Sequence, residues 1–176
     1  MLLFSWSGFS QNLFVNPGLD QASANCTGAD AARDEVPDSW VKTFTPDRST
    51  EQERAWDGTT ATRGPSPSGG CYYGFRALGG NSEGIAQDIV LVGGETYNFS
   101  WDYLIETVPL GTSCTPQLEI ILDGTIIATP PPPPVENVWT RPSITFSVPT
   151  SGTYTFEFFA GGACSSTWNF VDDLSI

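Results

Sequence analysis

Two adjacent carboxylates, Asp172 and Asp173, stand in the run NFVDDLSI, at 169–176 of a 176-residue chain. In an extended strand successive side chains point to opposite faces. Trp168, Phe170, Asp172, Leu174 and Ile176 then form one row, and Asp172 is the charged group in it. A carboxylate in an apolar row needs a partner or a cation. Basic partners are scarce, with seven Lys and Arg against 20 Asp and Glu. A bound cation at Asp172 is one reading; a carboxylate that caps a turn or accepts backbone N–H bonds is the alternative. Asp173, on the opposite face, is expected to be a solvated surface acid.

A second set of residues carries the chemistry of sugar recognition. Such a site needs aromatic faces to stack on pyranose rings and planar polar side chains to hydrogen-bond hydroxyl groups. Arg76 with Tyr72, Asp102 with Asn98, Gln117 with Glu119, and Glu157 with Phe159 all fall on the polar faces of strand-like segments. If those strands share a sheet, they form one polar surface with Tyr72 and Phe159 as stacking residues. Ordinary solvated faces are the alternative, and Trp56 with the 71–73 stretch is a second possible location at a loop end. Asp102, Glu119 and Glu157 supply carboxylates, and glycoside hydrolysis needs two at a defined separation. No catalytic signature accompanies them, and a non-enzyme is expected.

Composition narrows the field. The net charge is −13 and the sequence pI about 4.1, which argues against a nucleic-acid partner. There is no histidine, so Ser-His-Asp and Cys-His nucleophiles and His-based zinc sites are excluded. Cys26, Cys71, Cys114 and Cys164 are widely spaced, without a C-x-x-C pair. They are read as two disulfides, and hence as a sign of an oxidising compartment. Three pairings are open, with Cys26–Cys71 and Cys114–Cys164 expected. The opening MLLFSWSGFS is apolar and ends small-x-small before Gln11. It resembles the back half of a signal peptide, or else a mature N-terminus. The chain is expected to be secreted or at the cell surface. No stretch is long and apolar enough for a transmembrane helix.

The elements that must position these residues read as strands throughout. A first strand is predicted at 13–15, and 21–70 reads as irregular, with Trp40 and Trp56 anchoring it. Further strands are predicted at 71–78, 84–92, 97–105, 117–122, 125–129, 143–148 and 153–160, before the final strand. Turn signals separate them, including Asp123-Gly124. Tyr97, Phe99, Trp101, Tyr103, Ile105, Tyr154, Phe156 and Phe158 are expected in the core. The run 130–134 is expected to be a stiff polyproline II loop. Eight or nine strands imply an all-β two-sheet jelly-roll sandwich in a single domain over 11–176.

Segments in this order resemble carbohydrate-binding modules of the family 4/9 type, which have a galactose-binding-like jelly roll. NLFVNPGLDQ (12–21), PDSW (37–40), GIAQDIVLVGGETYNFSWDY (84–103), VWTRPSITFSVPTSGTYTFEF (138–158) and FVDDLSI (170–176) carry the resemblance. Leu19 departs from it, where an aromatic is usual, as do the proline run and the disulfides. The resemblance implies a structural calcium between the first and last strands. It maps the side-chain ligands to Asp20 and Asp172, with backbone carbonyls near Gly18 and Asp172. It also implies a glycan partner, bound in a cleft or on the loops at its end. The alternative is a structural or adhesive subunit of a filament, surface layer or virion that uses the same fold for self-association.

Overall fold

The computed structural model describes residues 11–22, 24, 26, 31–50, 64–78, 81–107, 114–164 and 167–176. Its strands are β1 (Val41–Thr43), β2 (Asp47–Ser49), β3 (Tyr72–Phe75), β4 (Ala77–Leu78), β5 (Asn81–Ser82) and β6 (Gly84–Leu91). They continue with β7 (Thr96–Thr107), β8 (Gln117–Leu122), β9 (Thr125–Ala128), β10 (Ser143–Ser147), β11 (Gly152–Gly161) and β12 (Thr167–Ser175). No helix occurs among the described residues. A first sheet runs β10-β7-β12-β3-β2, a second runs β1-β6-β11-β8-β9, and β4-β5 forms a separate small hairpin. Every pairing is antiparallel.

The two five-stranded sheets pack face to face around an aromatic core. Alternation in the long strands dictates this. On β7, Phe99, Trp101, Tyr103 and Ile105 point inward, and on β11 so do Phe156 and Phe158. Phe99 stacks on Trp101 with ring centroids 4.9 Å apart and meets Phe156 edge-on at 4.7 Å. Trp40 anchors the early segment by stacking on Phe14 at 5.5 Å. Trp56 lies outside the described residues.

Disulfides join Cys26 to Cys71 and Cys114 to Cys164, closing sequence separations of 45 and 50. A loop of that size removes unfolded-state entropy equivalent to about 4 kcal/mol. The first disulfide ties the irregular early segment to the start of β3.

Four readings of the sequence are corrected. Residues 13–15 are bends, because the backbone of Val15 pairs with the Gln87 side chain at 2.8 and 2.9 Å instead of a strand. The segment 21–70 contains two short strands, β1 and β2. The predicted strand 71–78 breaks at Arg76 into β3 and β4. Finally, β12 is bulged: its register with β7 shifts between Asp172 and Ser175, and Asp173 has a φ of 43°. An extra residue reverses the alternation. Trp168 and Phe170 therefore join a cluster on the outer face of the first sheet, whereas Leu174 and Ile176 turn into the core.

Candidate functional site

The candidate recognition residues lie on two opposite faces of the sandwich. Tyr72 on β3 and Asp102 on β7 point outward from the first sheet, with Arg76 just past the end of β3. Gln117 and Glu119 on β8 and Glu157 and Phe159 on β11 point outward from the second. Strand membership separates them: β3 and β7 belong to one sheet, β8 and β11 to the other.

The middle of the first sheet's outer face is enclosed, whereas Asn98 and Thr145 at its β7–β10 end are exposed. Tyr72, Leu104, Trp168 and Phe170 form a buried cluster with Trp139 packed against it. The Tyr72 ring meets Trp139 edge-on at 5.1 Å and Phe170 at 5.7 Å. Its hydroxyl donates to the Thr50 carbonyl at 2.5 Å. The Arg76 guanidinium lies over the Trp168 ring at 4.9 Å. Tyr72 is fully buried, so it packs here as a core residue would.

Asp102 and Asp172 are direct cross-strand partners on this face, and both are buried. Asp102 accepts from Arg141 at 2.9 Å, and the same guanidinium reaches Asp173 at 2.7 Å. Burial raises the Asp102 pKa, against the opposing pull of Arg141. Asp172 accepts from the Ser66 hydroxyl, and from Ser68 at 2.6 Å. Burial pushes its pKa up to about 7, and those two hydroxyls oppose the rise. One oxygen of each carboxylate, Asp102 Oδ2 and Asp172 Oδ1, is buried without a hydrogen-bond partner.

The predicted calcium ligands converge on the 64–70 loop. Asp172 is held by Ser66 and Ser68 from one side. A Cβ placed on Gly70 would sit 2.6 Å from Asp20 Oδ1, and one on Gly18 would sit 3.5 Å from Asp20 Oδ2. The first and last segments also bond directly, Leu174 N to Pro17 O at 2.9 Å and Asn12 Nδ2 to Leu174 O at 2.6 Å. The free oxygen of Asp172 fits a hard cation. Among the described residues no group of three or more Asp, Glu, Cys or His is assembled. A calcium here would therefore draw on two carboxylates plus hydroxyl and backbone oxygens.

The second sheet's outer face is open. Register places Thr43, Gly84, Phe159 and Glu119 in one row across β1, β6, β11 and β8. The next row holds Val41, Ala86, Glu157 and Ile121. Phe159, Glu119, Glu157 and Gln117 are all partly exposed. Glu119 accepts from the Gln117 amide at 2.8 Å, and Glu157 from the Thr43 hydroxyl at 2.7 Å. Gly84 and Gly161 keep the surface low: a Cβ on Gly84 would meet the Phe158 carbonyl at 2.5 Å, and one on Gly161 would collide with Glu119.

Two further carboxylates are buried at the edge between the faces. Glu83 accepts from the Arg76 backbone N–H and the Thr45 hydroxyl, each at 2.9 Å. Burial raises its pKa to about 7, and burial raises Asp47 to about 6. Sequence reading missed Glu83, Asp47 and the Trp168–Phe170–Trp139 surface. It placed Trp168 and Phe170 in one row with Leu174 and Ile176, which the bulge divides between the outer face and the core, and had no signal for a second cluster outside the core.

No protein-family model and no curated protein matches the sequence. Solved structures do share the fold. TmCBM61 in complex with β-1,4-galactotriose is 14% identical, over 94% of this chain and 97% of that one, with a TM-score of 0.53. A CBM4 structure is 14% identical over 81% of this chain and 96% of that one, with a TM-score of 0.51. A cyclase from Fischerella sp. TAU, in complex with 4-(1H-indol-3-yl)butan-2-one, is 13% identical over 90% and 92%, with a TM-score of 0.61. The chain thus has the jelly-roll fold of carbohydrate-binding modules, and the same fold also serves a cyclase.

Proposed function

We propose that this chain is a secreted, non-catalytic carbohydrate-binding domain that holds its glycan on the outer face of the second sheet. The observation that carries this reading is the juxtaposition there of a partly exposed aromatic ring, Phe159, with Glu119, Glu157 and Gln117 on a surface lowered by glycines. Phe159 supplies a stacking platform. The carboxylates, already accepting from an amide and a hydroxyl, are suited to accept from sugar hydroxyl groups. The solved module that holds β-1,4-galactotriose supports a glycan as the ligand class. Two disulfides support an oxidising, extracellular setting. Tyr72, Arg76 and Asp102 have packing roles on the opposite face in this reading.

The test is a binding screen against soluble polysaccharides and oligosaccharides with calcium present. Saturable binding that drops in Phe159→Ala and Glu119→Gln, but persists in Arg76→Lys, supports the site. No binding across the panel would overturn the glycan reading and favour an assembly subunit.

Calcium forms the second part of the proposal. Asp20 and Asp172 would hold it, with backbone carbonyls near Gly18 completing the shell. It would fasten the early segment to β12 and add its binding free energy to folding. Chelation is expected to lower the melting temperature by several degrees in the wild type and not in Asp172→Ala. Identical wild-type melts with calcium and with chelator would sink the idea.

A further inference from the structure

The two five-stranded sheets end in edge strands β10 and β2, and β1 and β9. Three of these edges are blunted. β1 is three residues long, and its Lys42 ammonium is held by Asp34. β2 is also three residues long, and Ala32 covers it: Arg48 N donates to Ala32 O at 2.9 Å, and Ala32 N to Arg48 O at 3.0 Å. β9 is four residues long, and after Thr129 comes the proline run at 130–134, which has no N–H to offer a ladder. Short length, charge, cover and proline are the devices that stop a neighbour from adding a strand. β10 has none of them. It is five residues, Ser143–Ser147, reading SITFS, and β7 is its one neighbour among the described strands.

The phase of the β7 ladder says which of its groups are free. Tyr103 and Thr140 exchange both backbone bonds, at 2.8 and 2.9 Å, and Trp101 N donates to Pro142 O at 3.4 Å. Bonded pairs in an antiparallel ladder recur at every second residue. In the register of β10 with β7 the next are Phe99 with Ile144 and Tyr97 with Phe146. Ser143, Thr145 and Ser147 therefore aim their N–H and C=O groups away from β7, into the open edge. All three are exposed. Ile144 and Phe146 pack against the core and are only partly buried, so the edge also has apolar surface left to cover.

The strand is its own complement. A second β10, antiparallel and centred on Thr145, sets Thr145 opposite Thr145, Ser143 opposite Ser147 and Ile144 opposite Phe146. Hydroxyls then meet hydroxyls on the outer face, and an aliphatic side chain meets an aromatic one on the inner face. Both are favourable cross-strand pairs. The three outward pairs are the bonded ones, which gives about six backbone hydrogen bonds. A twofold contact requires this self-complementarity. Copies of net charge −13 repel one another, and a strand without charge adds nothing to that repulsion.

We infer that β10 is a self-association edge, through which two copies of this chain pair antiparallel about Thr145 and join their first sheets into one continuous sheet. The inference stands apart from the glycan reading, whose residues lie on the second sheet.

Sedimentation equilibrium over a concentration series would test it on the wild type, Thr145→Lys and Thr145→Glu, at low and high salt. The wild type should form a reversible species of twice the 18.9 kDa chain mass, tighter at high salt, where screening relieves the repulsion. Each variant alone sets like charges face to face and should weaken the dimer by about tenfold or more. Thr145→Lys makes the chain less negative, so its loss could not come from general repulsion. An equimolar mixture of the two variants should restore the dimer as a mixed pair. Both variants should melt like the wild type, because Thr145 is exposed. A wild type that is still monomeric at about 1 mM overturns the inference. A dimer that Thr145→Lys leaves intact overturns it too, as does a dimer that both variants lose and their mixture does not regain.

Discussion

The two outer faces of this sandwich are each five strands wide and follow the same alternation, yet the middle of one is enclosed and that of the other is open. On the first sheet the outward row contributes Tyr72, Leu104, Trp168 and Phe170, all buried. On the second it contributes Thr155, Glu157, Phe159 and Glu119, all at least partly accessible. An outward position is therefore not an exposed one. A row of large apolar side chains demands cover, and Trp139 supplies part of it. A row that mixes one aromatic with acids and glycines can face water, and is free to meet a ligand.

The largest expected effect contrasts Trp168 with Phe159. Trp168→Ala should cost about 3–5 kcal/mol in denaturant unfolding, as large-to-small core changes do. Phe159→Ala should change stability by less than about 1 kcal/mol and act on binding instead. Equal losses would erase the distinction between the faces.

Next comes pH. Glu83 and Asp47 hold their protons more tightly folded than unfolded, with folded values of about 7 and about 6. Stability from such groups is full below the ordinary carboxylate range and is lost as pH rises through the folded values. The melting temperature should therefore fall between pH 5 and pH 8. Glu83→Gln should flatten part of that fall, on the order of 2 kcal/mol. Gln can still accept from the Arg76 N–H and donate to Thr45. A stability that rises with pH across this window would contradict the burial of these carboxyls.

Smaller effects separate the ion pair from the open face. Arg141→Met removes the cation beside buried Asp102 and should cost about 1–2 kcal/mol, less than a fully buried pair because Arg141 is 41% exposed. Thr43→Val removes one hydroxyl donor to Glu157 on the open face and should cost about 1 kcal/mol or less. The reverse ranking would mean that the open face is the more tightly organised.

Much of this architecture was legible in the sequence. Period-two alternation in 97–105 and 153–160 identified the inward aromatics, and Asp123-Gly124 marked the β8–β9 turn, because both signals are local. The sequential disulfide pairing also matches. What stayed hidden depends on partners distant in the chain. The bulge at Asp173 turns Leu174 inward, and no local signal in VDDLSI announces it. The division of the candidate residues between two sheets follows from strand order, which alternation does not encode. Arg141 is 39 residues from Asp102 and Ser66 is 106 from Asp172, so neither pairing could be read from spacing.

β12 is the last strand in chain order, yet it lies in the middle of the first sheet, between β7 and β3. During synthesis the two halves of that sheet have nothing to join them until residues beyond 167 emerge. Folding is then a late, long-range event rather than a progressive one.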